Sequence, residues 1–366
     1  MKDINLDRIS QYFKAPKGKV TLGIDGFVDE VWQVISMRTG PTEYVLYEKM
    51  QEFAKSVYDV GAGGYANEVI RKRRSPGGFT AHTGEAVDNL GVGLTLVGMF
   101  GKDDIDPVYQ TFSDTCNVFS VGDTGICPIF EFADGKLMLP YSEEIANLTW
   151  TQLTDALSPE ELHGAFQGAD IVGFGYWSLL NHFDDMVVKL CDSVLQPGTR
   201  MFFDFADIRK RDKQALLDTL KLLAGRNSKF PMTLSLNEHE AGILFSYMGR
   251  EFDWKNPQAA DRDIEYVRQQ TGLDALIVHT PYFAVGATVS EGTAVVPQRH
   301  CKKPVLTTGA GDNFNGGYIA ASAQQGALNL AERLLVANAT SGHYLRNGCS
   351  PTPAELRHEM EQFDSF

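Results

Sequence analysis

Gly309, Ala310, Gly311 and Asp312 stand in a row, three small residues followed by a carboxylate. Residues without bulk let successive backbone N–H groups turn toward an anion. A helix is predicted to begin at Asp312, because Phe314, Tyr318 and Ala321 recur at i, i+4 and i+7. Its N-terminus adds partial positive charge at the same point. Such a nest would stabilise the charge that develops on a phosphoryl group in transfer. Asp312 beside it could take the proton of an attacking hydroxyl. Each part also has a plainer reading: a glycine-rich turn is often only a tight connection, and Asp is a favoured N-cap.

These groups need a scaffold, and the apolar runs supply one. Strands are expected at Val20–Ile24, Leu94–Phe100, Ile171–Phe174, Met201–Phe205, Met232–Leu236 and Ala275–His279. Most are continuously apolar, as strands buried on both faces are. Helices are expected between them, among others at Thr83–Leu90, Phe183–Val194 and Lys213–Leu223. The alternation implies an α/β fold, a mostly parallel central sheet with helices on both faces. Two stretches break it. Val28–Met50 has β-rich pieces around Thr39-Gly40-Pro41, and Ile126–Leu139 reads as a hairpin turning at Asp134-Gly135. Together they suggest a small β-rich lid, in segments roughly 28–50 and 110–141, on a single domain spanning 1–366.

Composition narrows the function. The 366 residues carry a formal charge of −14, which repels nucleic-acid phosphates and anionic lipid. The short basic run Arg71–Arg74 is either a solvated loop or a phosphate-steering patch. The five cysteines are scattered with no CxxC pair, so neither a zinc site nor a disulfide framework is indicated. The polar start and the short apolar runs predict a cytoplasmic protein without a membrane span. Gly61-Ala62-Gly63-Gly64 lacks a lysine at the spacing of a phosphate loop and reads as a flexible loop. No G-x-G-x-x-G follows the first strand, which argues against a dinucleotide-dependent dehydrogenase.

The stretch ending in Gly309-Ala310-Gly311-Asp312 resembles the second signature of the PfkB, or ribokinase-like, carbohydrate kinases. The resemblance implies that Asp312 is the catalytic base and that Gly309, Ala310 and Gly311 form the anion hole. It runs over nearly the whole chain. Gly23 to Asp29 follows a buried strand where family members hold substrate hydroxyls with an aspartate. A carboxylate can accept from two vicinal hydroxyls. Asp29 is first choice by its place at the strand exit, and Asp25 second. Pro76-Gly77-Gly78 and the helix after it resemble the first signature, in which Gly77 and Gly78 would let backbone approach the sugar. His82 stands where the family has Asn; it is either a ligand contact or a buried structural residue. Asn237-Glu238-His239-Glu240 matches the family's Asn-x-x-Glu. It implies that Asn237 faces the phosphates and that Glu240 organises Mg²⁺ through water, as suits an ion that keeps most of its waters. Asp204, at a strand end, either joins that network or is structural.

Thr280 and Gly286 occupy the place of the nucleotide loop, implying a phosphate contact and an adenine-pocket lining, and Asn338 that of an adenine neighbour. The family usually has Asp where this chain has Leu306, so its monovalent-cation site does not carry over. The spacing after Gly23 and the pair His279-Thr280 resemble ADP-dependent sugar kinases, which leaves the donor between ATP and ADP. The implied activity is phosphoryl transfer from ATP to a hydroxyl of a sugar or sugar-like molecule, under the lid. A nucleoside or vitamin kinase, with Phe27, Trp32 and Phe79 lining an aromatic pocket, is the enzyme alternative. A non-catalytic sugar sensor is the other. The family often dimerises through lid strands, so a homodimer is expected.

Overall fold

The computed structural model describes residues 4–363. Nine strands form the main sheet: β1 (Lys19–Gly23), β5 (Gly93–Gly98), β6 (Asn117–Ser120), β9 (Ile171–Phe174), β10 (Arg200–Asp204), β11 (Met232–Asn237), β12 (Ala275–His279), β13 (Phe283–Thr288) and β14 (Gly292–Pro297). Their order is β14-β13-β12-β11-β10-β9-β1-β5-β6. All pairs from β6 to β12 are parallel, and β13 and β14 close one edge as antiparallel strands. The chain leaves β1 toward β5 on one side and fills β9 to β12 on the other, so the order reverses beside β1. Open α/β sheets bind ligands at such a reversal, outside the carboxyl ends of the strands.

The apolar runs form strands because helices cover both faces of the sheet. One core cluster packs Trp177, Phe203 and Leu234 and the other packs Leu22, Phe314 and Leu335. Leu22, Val172 and Phe203 are each fully buried, and such a side chain contributes about 1.5–3 kcal/mol of transfer free energy. The helix Ala310–Ser322 buries every residue from Asn313 to Ser322. It can do so because a Cβ on Gly316 would come within 2.5 Å of Ala86 Cβ, and one on Gly317 within 2.6 Å of Thr340 Oγ1. The glycine pair lets it settle against the helices Gly78–Asn89 and Leu330–Asn347.

The second sheet is built around the long strand β2 (Phe27–Arg38), which pairs with β3 (Tyr44–Leu46), β4 (Val69–Gly77) and β7 (Gly125–Phe132); β8 (Gly135–Met138) completes a hairpin with β7. One turn falls at 39–43, as the sequence suggests, and the other at Ala133-Asp134, one residue before the expected Asp134-Gly135. Its composition differs from the expected segments in three ways. Met50 opens a helix (Met50–Asp59) rather than ending a β piece. Residues 110–120 give a helix (Gln110–Thr115) and the main-sheet edge β6. Arg71–Arg74 lie in strand β4, not in a loop. Isolated, this stretch is too polar to read as a strand. Pairing with β2 imposes the extended form and leaves the charges on the outside.

Candidate active site

The residues expected to do chemistry gather at the carboxyl ends of the central strands. Asp25 follows β1, Asp204 ends β10, Asn237 ends β11 and His279 ends β12. Asp29 lies in β2, where that strand leaves the body, opposite Ser75 of β4. Gly77 ends β4, and Gly78 begins the next helix.

Asp25 and the glycine pair form one unit. Asp25 is fully buried and accepts from the backbone N–H of Thr80 at 2.9 Å and from its hydroxyl. Its other oxygen, Oδ2, is buried without a partner. A Cβ on Gly78, which sits at φ +90°, would overlap that oxygen, and a Cβ on Gly77 would overlap Asp29 Oδ1. The two glycines therefore let the backbone pack directly against both carboxylates, which a side chain at either position would displace. Burial pushes the Asp25 carboxyl up to about 6, against the pull of the Thr80 hydrogen bonds. The two aspartates differ in setting: Asp25 is completely buried, and Asp29 borders the cavity beneath the second sheet and is engaged by His82, whose Nε2 lies 3.6 Å from Asp29 Oδ2. Burial works against the charged form of His82, but Asp29, Asp312 and Glu85 outweigh it and raise its pKa.

Asp312 is not the N-cap. Gly309, at φ +87°, holds that position, and Asp312 is the third residue of the helix. The amides of Gly311 and Asp312 fall in the first turn, where no intrahelical acceptor exists. The amide of Ala310 is spent on the Thr307 carbonyl at 3.2 Å, so it does not join them. Three bonds brace the loop from the body: Asn313 Nδ2 to the Gly309 carbonyl at 3.0 Å, Ser341 Oγ to Ala310 O at 2.8 Å, and Tyr344 Oη to Thr308 O at 2.7 Å. Burial pushes the Asp312 carboxyl up to about 7; His82 opposes this, while Asp204, Asp25 and Asp29 add to it. One electrostatic environment thus joins the four carboxylates and His82.

A second acidic pair lies beside it. Glu240 caps its own helix reciprocally with Asn237: Asn237 Oδ1 accepts from Glu240 N at 3.0 Å, and Glu240 Oε2 accepts from Asn237 N at 3.0 Å. Burial raises the Glu240 carboxyl to about 9, and the charge of Asp204 adds to this. Asp204 accepts from Ala206 N at 2.8 Å and Asn315 Nδ2 at 2.6 Å, and burial raises its pKa as well. The charge of half-buried Asp204 thus reaches buried Glu240. Among the described residues no group of three His, Cys, Asp or Glu could hold a metal directly.

The expected nucleotide contacts fare unevenly. The Thr280 hydroxyl is consumed in the β12–β13 turn, accepting from Tyr282 N at 3.1 Å and Phe283 N at 3.0 Å and donating to Phe283 O at 2.9 Å. Gly286 lies mid-strand, where a Cβ would come within 3.2 Å of Ile277 and Leu330, so it serves helix–sheet packing rather than a pocket. Asn338 is buried; Nδ2 donates to the carbonyls of Val296 and Pro297 at 3.1 Å, and Oδ1 has no partner.

The site also holds His279, which the sequence marks only through the pair His279-Thr280, and Asn315, Tyr176 and Ala206, which escape a reading of the sequence. His279 packs on Phe314 at 4.7 Å between ring centroids, and burial lowers its pKa to about 4. A Cβ on Gly311 would stand 3.3 Å from it. Asn315, in the helix interior, bridges Ser235 and Asp204. Tyr176 and Ala206 hold positive φ, 60° and 55°, just past β9 and β10, and non-glycine residues in that region cluster at functional sites. The faint signal available was position: His279 ends a buried strand and Tyr176 and Ala206 lie two residues past one, while Asn315 has no such mark.

A cavity of about 480 Å³ separates the second sheet from the body, bordered by Asp29, Arg73, His82, Glu131, Lys136 and Thr308. A cavity of about 520 Å³ lined by Arg200 and Arg333 lies at the amino ends of the strands. It shares no residue with the carboxylate cluster and is not this site. Phe27 and Phe79, expected in an aromatic pocket, are 4% and 2% exposed and belong to the core.

With this geometry in place, similarity to known proteins decides the family. Residues 8–363 match the family described as prokaryotic ketohexokinase. The chain belongs to that family. A ketohexokinase of Haloferax volcanii is 29% identical over 350 residues, covering 93% of this chain and 90% of that protein. Ribokinase of Thermotoga maritima superposes with a TM-score of 0.64 at 16% identity, covering 94% of this chain and 100% of its own. Phosphofructokinase-2 of Escherichia coli gives 0.61 at 13%, covering 95% and 100%. A nucleoside kinase of Methanocaldococcus jannaschii gives 0.60 at 17%, covering 95% and 99%. These structures share the ribokinase fold. The prokaryotic ketohexokinase family member described here is an ATP-dependent sugar kinase, a phosphotransferase acting on a hydroxyl group. Among the described residues no helix is long and apolar enough to cross a membrane.

Proposed function

We propose that this kinase transfers the γ-phosphoryl group of ATP to a hydroxyl of a ketohexose, with Asp312 as general base. The observation that carries the reading is that Asp312, whose carboxyl burial raises to about 7 at a helix N-terminus, shares one electrostatic environment with Asp29 and His82, which border the cavity beneath the second sheet. The family and the Haloferax volcanii relative supply the ketohexose.

The sugar occupies the cavity between the second sheet and the body, with hydroxyls on Asp29 and His82, which border it, while Asp25 supports the floor from beneath Gly78. The sheet acts as a lid that excludes water, a competing acceptor. As the sugar oxygen forms its bond to the γ-phosphorus, Asp312 takes its proton, and the bond from phosphorus to the β,γ-bridging oxygen breaks to release ADP. The first-turn amides of Gly311 and Asp312 hold the charge on the transferring group. Asn237, whose side-chain Nδ2 is not used in the helix cap, faces the phosphates. Asp204 and Glu240 would hold Mg²⁺ through water, and the ion would neutralise phosphate charge.

A phosphotransfer screen tests this: ketohexoses, aldohexoses and nucleosides as acceptors, each with ATP and ADP as donor. The highest kcat/KM is expected for a ketohexose with ATP. Preference for a nucleoside, or for ADP, would overturn the acceptor or donor assignment.

A further inference from the structure

The anion-hole loop is braced from the body by Asn313, Ser341 and Tyr344. It has one further support, from the other side. Lys136, on strand β8 of the second sheet, donates from Nζ to Thr308 Oγ1 at 3.1 Å, across 172 residues of sequence. Thr308 immediately precedes Gly309. Lys136 also stands 3.4 Å from Glu131 Oε1 on the paired strand β7, and its side chain is 24% exposed. Other side-chain contacts between this sheet and the body, Arg74 to Asp106, Tyr109 to the carbonyls of Phe27 and Gly77, and His82 to Asp29, do not involve residues 306–312.

We infer that Lys136 is a positioning residue that makes the geometry of the anion hole depend on closure of the lid. The inference rests on the kinase reading above, since it assigns the loop and the lid their roles. A charged donor on a hydroxyl gives a strong, directional bond. Tyr344 fixes the carbonyl of Thr308, and Lys136 fixes its side chain, so the residue before Gly309 is held from two directions only when the hairpin is down. With the hairpin raised, the Thr308 side chain is released while the body contacts stay. Glu131 keeps the ammonium from swinging away by holding its neighbouring strand's charge within ion-pair range. Phosphoryl transfer is sensitive to placement on the scale of 1 Å, so a loop that settles only under a closed lid confines transfer to the state from which water is excluded.

The test is a double-mutant cycle on kcat with Lys136→Met, Thr308→Val and the pair. The acceptor is D-fructose or whichever compound the screen above identifies. Wild-type activity on D-fructose tests the ketohexose reading by itself; the cycle tests the coupling on any acceptor the wild type uses. Each single change is expected to lower kcat by about 10–100-fold with acceptor KM within about threefold. The double variant is expected to be no slower than the slower single, and Lys136→Arg to regain part of the loss. If Lys136→Met unfolds, Thr308→Val, close in shape and outside the core, reads the same loss alone, and thermal midpoints check folding. Multiplying single effects, a loss confined to acceptor KM, or unchanged kcat in a folded variant would each overturn the inference.

Discussion

The pH dependence of the reaction follows from where Asp312 is placed. Burial, strengthened by Asp204, Asp25 and Asp29, brings its carboxyl up to about 7 despite His82. A general base must be ionised, so kcat/KM should rise with pH through that value. Between about pH 6 and about pH 8 the ionised fraction goes from roughly 0.1 to roughly 0.9, an increase of about tenfold. His82 lowers the Asp312 pKa through its charge. Replacing it with Asn should therefore move the rising limb to higher pH, whatever it does to the plateau. The profile is best measured by direct chromatography of ADP or sugar phosphate, because coupling enzymes have pH limits of their own. Asp312→Asn should keep its fold and lose at least about 100-fold in kcat at every pH. A wild-type profile flat across this range, or a limb that shifts to lower pH in His82→Asn, would refute the electrostatic account. Near wild-type turnover in Asp312→Asn would refute the base itself.

Further expectations concern the rest of the site. Gly78→Ala should lose acceptor phosphorylation and at least about 2 kcal/mol of stability in denaturant titration, since φ is +90° and its Cβ would displace Asp25. Glu240→Gln should raise the Mg²⁺ concentration for half-activity by about tenfold, as expected for an outer-sphere partner. Its thermal midpoint should hold, because Gln also closes a capping box and Glu240 is neutral below about 9. Replacing K⁺ by Na⁺ or choline at fixed ionic strength should change kcat by less than about twofold, screening being constant. Leu306 offers no carboxylate, and the Thr308 carbonyl already accepts from Tyr344.

The sequence shows the scaffold where burial on both faces makes a run apolar. Val20–Ile24 and Ala275–His279 could be read that way, and they end beside Asp25 and at His279. Gly309 to Asp312 could be read because small residues before a helix serve few purposes. Strand β4 could not, since Arg71 to Arg74 satisfy no strand pattern and extend only because β2 lies alongside. The surroundings of Asp25 and Asp29 also needed three dimensions: their partners are Thr80 and His82, over fifty residues away from either aspartate. Thr280 and Gly286 look like nucleotide contacts by position, but a hydroxyl's bonds and a glycine's neighbours do not show in a linear pattern. Asn315 bridges Ser235 and Asp204 from a helix interior, where an asparagine carries no signal of its own.

Strand β4 ends in Gly77, and β2 begins at Phe27 two residues before Asp29, so the roots of the covering sheet and the proposed grip on the sugar are the same stretch of chain. On that proposal, raising the cover also pulls at the hands that hold the guest. Release of the phosphorylated sugar and opening would then be a single mechanical event. Grafting a relative's cover onto this body would transplant part of its taste in sugars along with it.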